Sequence, residues 1–333
     1  MKNYLEITDL KDMLNKTKNM YGDKLAYKIK LEEGKYKTFS HKEVRDMVDA
    51  LGTALISLGL KGKRIAVIGE NRYEWEIAYL SIVCGTGVVV PLDKALPENE
   101  LESLVERSEI EAIFYTGKYS EVIRKIRDKN TNKLKYLIAM DKEDSHENTF
   151  LQSGLIEEGK KLLEKGNKEF VNAKINPNEM SIMLFTSGTT SKSKAVALSH
   201  KNICSNLMDI GDVLDVNSED VLLSILPIHH VFECTVGFLF ALYKGACTVF
   251  CDGIRHIIEN LNETTETQKE RFILYYGLNE FGPDVKNLNK IAKIYGCTAS
   301  AVRGSVISVK NKLSKLNEEF KVIEQVVTEC ENN

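Results

Sequence analysis

Between residues 64 and 91 the chain spells out one repeating unit: an apolar strand over 64–68, the turn Gly69-Glu-Asn71, a helix over 74–83 and the apolar run Val88–Pro91. Strands that are apolar at nearly every position have no face to give to water. They belong in a parallel sheet with helices on both faces. The alternation continues with helix 98–106, strand 112–115, helix 121–127 and strand 137–140. A charged stretch over 144–180 holds one helix near 154–165, and strands follow at 180–185 and 195–198. The expected fold is a doubly wound α/β layer.

Ahead of this unit, Ala26–Lys30 and Lys35–Phe39 flank a Glu-Glu-Gly turn, as in a hairpin. Ser40-His-Lys-Glu43 is a capping box, and Val44, Met47, Leu51, Leu55 and Leu58 follow at helical spacing. Beyond the layer, Ser199 caps a helix through Met208, and Val221–Pro227, Val236–Tyr243 and Cys247–Phe250 continue the α/β pattern. At about Asn262 the periodicity breaks in a polar Asn-Glu-Thr-Thr-Glu-Thr run, and the pattern beyond it is helical throughout.

A length of 333 residues suits about two domains. With 45 basic and 48 acidic residues the net charge is −3, which excludes a wholesale polyanion binder but not a local basic patch. The seven cysteines are scattered without a CxxC pair, which suits reduced thiols in a cytoplasmic protein over a disulfide framework or zinc site. The N-terminus is no signal peptide, and no apolar run is long enough to span a membrane.

The sharpest local signal is Thr186-Ser-Gly-Thr-Thr-Ser-Lys-Ser-Lys194, set between two apolar strands. Glycine lets backbone N–H groups approach an anion, hydroxyls donate hydrogen bonds, and lysine supplies charge. It is no Walker loop, since it feeds a strand and lacks G-x-x-x-x-G-K-[ST]. On its residues alone, an ordinary hydrophilic turn and a phosphate cradle both stand.

LFTSGTTSKSKAVALSHKNICSN, with RIAVIGENRYEWEIAYLSIVCGTGVVVPLD and LPIHHVFECTVGFLFALYKGACTVF, resembles the AMP-forming acyl-CoA synthetases, the adenylate-forming ligases, and their long-chain fatty acyl-CoA branch in particular. The resemblance covers residues 1 to about 261. It implies that Thr186, Ser187, Gly188, Thr189 and Thr190 wrap the β- and γ-phosphates of ATP, with Thr186 also a magnesium ligand. It implies that Lys194 neutralises pyrophosphate and that His230 sits near the carboxylate of the fatty acid. His229, Glu233 and Cys234 receive no role. The family's loop has Gly, Pro and Gly where this chain has Ser191, Ser193 and Ala195.

The implied reaction has two steps. A carboxylate attacks the α-phosphate of ATP and releases pyrophosphate, and the CoA thiol then displaces AMP. Such chemistry is mostly positioning and charge neutralisation. No Tyr-Gly-x-Thr-Glu run for adenine and no Thr-Gly-Asp run for ribose is found after Leu261, nor a small domain bearing the adenylation lysine. The expectation is therefore a truncated adenylate-forming domain with impaired turnover and no CoA site.

The remaining residues divide into a junction, 262–269, and a small all-α domain, 270–333. Leu288–Gly296 and Ser300–Leu316 read as the two helices of a helix-turn-helix, with Ile291, Tyr295 and Val302 as its core. The stretch 270–316 resembles the fourth conserved region of bacterial sigma factors. Between Lys286 and Leu316 there are seven basic residues and no acid, and Lys290, Lys293, Arg303, Lys310 and Lys312 are candidates for DNA phosphate contacts. Ala299, Ala301 and Gly304 offer base edges no bidentate donor. Three functions follow as expectations: a fatty acyl-CoA ligase, a regulator that binds DNA or RNA polymerase, or a rearranged remnant of two genes.

Overall fold

The computed structural model describes residues 5–32, 35–129, 131–141, 146–186, 193–250, 265, 267–268, 293 and 297–316. The chain divides into two compact units, one of 1–220 with 227–250 and one of 221–226 with 251–333.

The first unit opens with α1 (Leu10–Tyr21), β1 (Leu25–Glu32), β2 (Lys35–Ser40) and α2 (His41–Ser57). The expected capping box of α2 is formed: Glu43 N–H donates to Ser40 Oγ at 3.2 Å, and Ser40 N–H donates to Glu43 Oε2 at 2.7 Å. Then come β3 (Arg64–Ile68), α3 (Tyr73–Ser81), β4 (Val88–Pro91), α4 (Glu98–Arg107), β5 (Ala112–Tyr115), α5 (Ser120–Asp128) and β6 (Tyr136–Ala139). β7 (Thr149–Leu151), α6 (Gln152–Glu164), β8 (Met180–Thr186), β9 (Lys194–Ser199) and α7 (His200–Val213) follow. In the second unit lies β10 (Val221–Ser224). α8 (Phe240–Lys244) and β11 (Cys247–Phe250) close the first.

The main sheet runs β7-β6-β5-β3-β4-β8-β9. Every neighbouring pair is parallel except β8–β9. Consecutive residues of its strands enter different cores. Ile65, Val67, Ala112, Phe114 and Ile138 pack with α1, α2, α3, α7 and α8 on one face. Ala66, Ile68, Ile113, Tyr115, Leu137 and Ala139 pack with α4 and α5 on the other. This is the period-2 geometry of a strand with both faces buried, as the unbroken apolar runs demand. A smaller sheet joins β1 antiparallel to β2 and parallel to β11, with Tyr27 opposite Phe39 and Thr248.

Helices α2 and α6 touch backbone to backbone at Gly159, where a Cβ would lie 1.8 Å from the Ala50 carbonyl oxygen. His200, at the start of α7, bolts three distant segments together. Its Nδ1 accepts from Leu10 N–H at 3.2 Å, so its Nε2 carries the hydrogen and donates to the Val83 carbonyl at 3.1 Å.

Several elements differ from the sequence expectation. α1 and β7 are additional. The helix expected over 74–83 ends at Ser81 and passes into a wide turn, Ile82–Thr86. Val236–Tyr243, expected only to continue the α/β pattern, is helical, in a π-type segment Glu233–Leu239 that runs into α8.

In the second unit, α9 (Ala299–Leu316) matches the helix expected over 300–316. Thr298 Oγ1 accepts from Ala301 N–H at 3.2 Å as its cap. Val302, Val306 and Val309 are buried at helical spacing, while Arg303 and Gly304 are exposed. The companion helix expected over 288–296 lies outside the described residues except for Lys293.

Candidate active site at the carboxyl edge of the sheet

In an open parallel sheet, ligands bind where strand carboxyl ends meet. Here those ends carry Gly69–Arg72 after β3, Asp93 after β4, Thr116–Lys118 after β5, Asp141 after β6 and Thr186 at the end of β8. The antiparallel pairing of β8 with β9 sets Thr186 directly opposite Lys194. The two residues expected at the ends of the loop are thus cross-strand neighbours at its neck, and both are exposed. Ser187, Gly188, Thr189 and Thr190 lie outside the described residues. Below the neck, the Arg107 guanidinium lies 5.9 Å from the Phe185 ring centroid, and its Nη2 donates to the Ser193 carbonyl at 2.9 Å.

His230 sits in a turn that neighbouring strand ends hold. Its N–H donates to the Pro227 carbonyl at 2.9 Å, and its own carbonyl accepts from Cys234 N–H at 2.9 Å. Asn71, from the turn after β3, accepts from Ile228 N–H at 3.1 Å. Asp93, after β4, lies 3.4 Å from His229 Nε2. Burial lowers the His229 pKa, helped by His230 and Lys94 and opposed by Asp93. The turn is therefore tied down on both sides while His230 stays exposed. Among the described residues no hydrogen bond joins His230 to Thr186 or Lys194: the turn of His230 follows β10 of the smaller sheet, whereas Thr186 and Lys194 lie on β8 and β9 of the main one.

Beside them runs a charged network. Arg72 grips Glu74 at 2.8 and 3.0 Å and reaches Asp141 at 2.8 Å, and Asp141 accepts from Gly117 N–H at 2.8 Å. Thr116 Oγ1 donates to Glu70 at 2.7 Å, and Lys118 pairs with the same carboxylate. Burial would raise the Glu70 pKa, but the hydrogen bonds from Lys118 and Thr116 outweigh it and hold the carboxyl below its ordinary value. Gly69, at φ 157°, makes this meeting possible, since a Cβ there would lie 2.8 Å from Thr116 Cγ2.

Residues 14–300 match the family described as AMP-binding enzyme. The chain belongs to that family. It is 26% identical over 253 residues to long-chain-fatty-acid–CoA ligase 1 of Cavia porcellus, covering 70% of this chain and 35% of that protein. It is 30% identical over 246 residues to long-chain-fatty-acid–CoA ligase 5 of Rattus norvegicus, covering 70% and 36%. The chain thus spans about a third of the length of these relatives. Among solved structures, a long-chain-fatty-acid–CoA ligase from Archaeoglobus fulgidus superimposes with a TM-score of 0.64 at 19% identity, covering 77% of this chain and 49% of that one. A fatty acyl-CoA synthetase from Mycobacterium tuberculosis gives 0.58 at 19% identity, covering 74% and 45%. These likenesses show a mixed α/β fold of the kind that adenylate-forming enzymes carry at their N-terminal end.

The family match runs through most of the stretch expected to be sigma-like, and the comparisons give no support to a helix-turn-helix, a DNA partner or an RNA polymerase partner. Of the residues expected on DNA phosphates, Lys293 and Arg303 are exposed. Lys310 and Lys312 belong to α9 by their backbone alone, and Lys290 lies outside the described residues. Within the matched stretch Tyr276-Gly-Leu-Asn-Glu280 departs from a Tyr-Gly-x-Thr-Glu run only at Asn279. Asn71, Asp93 and Arg107 stand at the candidate site without having been singled out in the sequence, and His229, given no role there, packs beside Asp93. The position of the first two, just past the ends of parallel strands, was the available signal. None of the described helices is long and apolar enough to cross a membrane.

Proposed function

We propose that this chain holds the polyphosphate of ATP in the loop 186–194 and belongs to the fatty-acid-activating, AMP-forming ligases. The observation that carries the proposal is the pairing of Thr186 with Lys194 across the mouth of a Ser/Thr/Gly loop, at the carboxyl edge of a parallel sheet. The donor set suits the ligand. A hydroxyl and an ammonium group, both open to solvent, match phosphate oxygens, and the threonine oxygen is a hard donor of the kind magnesium takes.

In this assignment Thr186, Ser187, Gly188, Thr189 and Thr190 surround the β- and γ-phosphates, Thr186 meets the magnesium ion, and Lys194 neutralises pyrophosphate. His230 faces the fatty-acid carboxylate. CoA is the acceptor by family, and its site is assigned to no residue of this chain. The domain division at 262–269 remains part of the proposal. So does impaired turnover by these 333 residues, which contain no Thr-Gly-Asp run. The fatty-acid substrate rests on what the relatives are called.

The test is calorimetry with magnesium pyrophosphate and ATP. Removing one charge-assisted contact of about 1.5–3 kcal/mol predicts that Lys194→Ala binds roughly tenfold more weakly or worse. Equal affinities for the two proteins would overturn the loop assignment.

A further inference from the structure

The loop 186–194 carries Ser193 where the family's loop carries proline. Proline fixes φ and so limits the conformations a loop must give up when it closes on a ligand. Without it, the loop's return strand has lost an internal constraint. The structure supplies an external one. Arg107, the last residue of α4, reaches the neck from outside the loop. Its Nη2 donates to the carbonyl of Ser193 itself at 2.9 Å. Its guanidinium lies 5.9 Å from the Phe185 ring, one residue before Thr186. One planar group therefore touches the strand that leaves for the loop and the strand that returns. Between these contacts sits the Thr186–Lys194 pair.

We propose that Arg107 is a positioning residue that braces the neck of the phosphate loop in place of the missing proline. Ser193 fits this role as proline's replacement only because its carbonyl, which every residue type has, is the group being gripped. The guanidinium suits the task because its fork carries several donors while its charge stands within reach of an aromatic ring. Arg107 is exposed, so the core does not depend on it. The brace acts on Thr186 and Lys194, and it rests on their assignment to phosphate.

The experiment uses the full chain and two readouts. Hydrogen exchange at residues 185–186 and 194–195, without ligand, reports the neck. Calorimetry with magnesium pyrophosphate reports the loop's use. Arg107→Gln should accelerate the neck's exchange by about threefold or more, the scale of a partly exposed charge-assisted contact, and weaken pyrophosphate binding to a similar degree. The thermal midpoint should stay where it is. Adding Ser193→Pro to Arg107→Gln should restore both readouts, which a merely structural arginine would not allow. Unchanged neck exchange in Arg107→Gln overturns the brace. Exchange that accelerates and is not reversed by Ser193→Pro overturns the proline equivalence. If the wild type binds no pyrophosphate while exchange still follows both substitutions, the phosphate assignment falls and the brace stands.

Discussion

Acid should loosen the first unit at one identifiable histidine. His41 opens α2 directly after its Ser40 cap, is only 3% exposed, and lies 6.1 Å from the ring of Tyr21. Burial, opposed by a backbone hydrogen bond at Gly245, lowers its pKa from 6.5 to about 4. The unfolded imidazole takes its proton near pH 6.5 and the folded one only near pH 4. Between those values the unfolded chain holds more protons, so stability is full above pH 6.5 and falls as pH falls. At about 1.36 kcal/mol for each pH unit, the interval is worth about 3 kcal/mol by pH 4. His41→Gln cannot titrate. Urea unfolding at pH 7 and pH 4 should therefore show a loss about 3 kcal/mol smaller in the variant than in the wild type. His200 and His229, also lowered by burial, contribute equally to both proteins and cancel in the comparison. Equal losses in the two proteins would refute the assignment of a buried, neutral His41.

Gly159→Val should destabilise by about 1–3 kcal/mol or more in thermal or urea unfolding, because its side chain meets the Ala50 carbonyl and must push α2 from α6. Gly154→Ala, on the same helix with nothing within 4 Å of the added carbon, should stabilise by up to about 1 kcal/mol. Exchange of labelled pyrophosphate into ATP, with magnesium and a fatty acid, should not rise above that of Lys194→Ala for these 333 residues. Clear fatty-acid-dependent exchange would show that the motifs sought in the sequence are dispensable or supplied otherwise.

The layer was legible because its strands are apolar on both faces, a pattern that admits few other placements. The α2 cap was legible because a capping box is local: Ser40 and Glu43 answer each other within one turn. α1 has a local signature of the same kind. Asp9 accepts from Asp12 N–H at 2.9 Å, and Leu10, Met13, Leu14 and Thr17 form a buried helical stripe amid lysines. β7 was not within reach, since Thr149-Phe-Leu151 is a strand only by pairing with β6. The same holds for the site. The loop proposed to bind phosphate is written in consecutive residues, whereas Arg72 with Asp141 and Asn71 with Ile228 are partners 69 and 157 positions apart. The sigma-like reading finds no support in the comparisons, for a related reason. Basic, alanine-containing helices joined by a glycine turn recur in many folds, and a short local pattern cannot choose among them.

The His200 bolt has a consequence for the order of events at the ribosome. Its two partners, Leu10 and Val83, precede it by 190 and 117 residues. At roughly 5–20 residues per second, the first turn of α1 waits about 10–40 s for its acceptor to be synthesised. During that interval the Leu10 amide and the Val83 carbonyl have to face water or a temporary partner. The nascent N-terminal layer can collapse earlier, but it cannot lock. A pause before codon 200 would prolong the unlocked state, and one placed after the α7 helix has emerged would not.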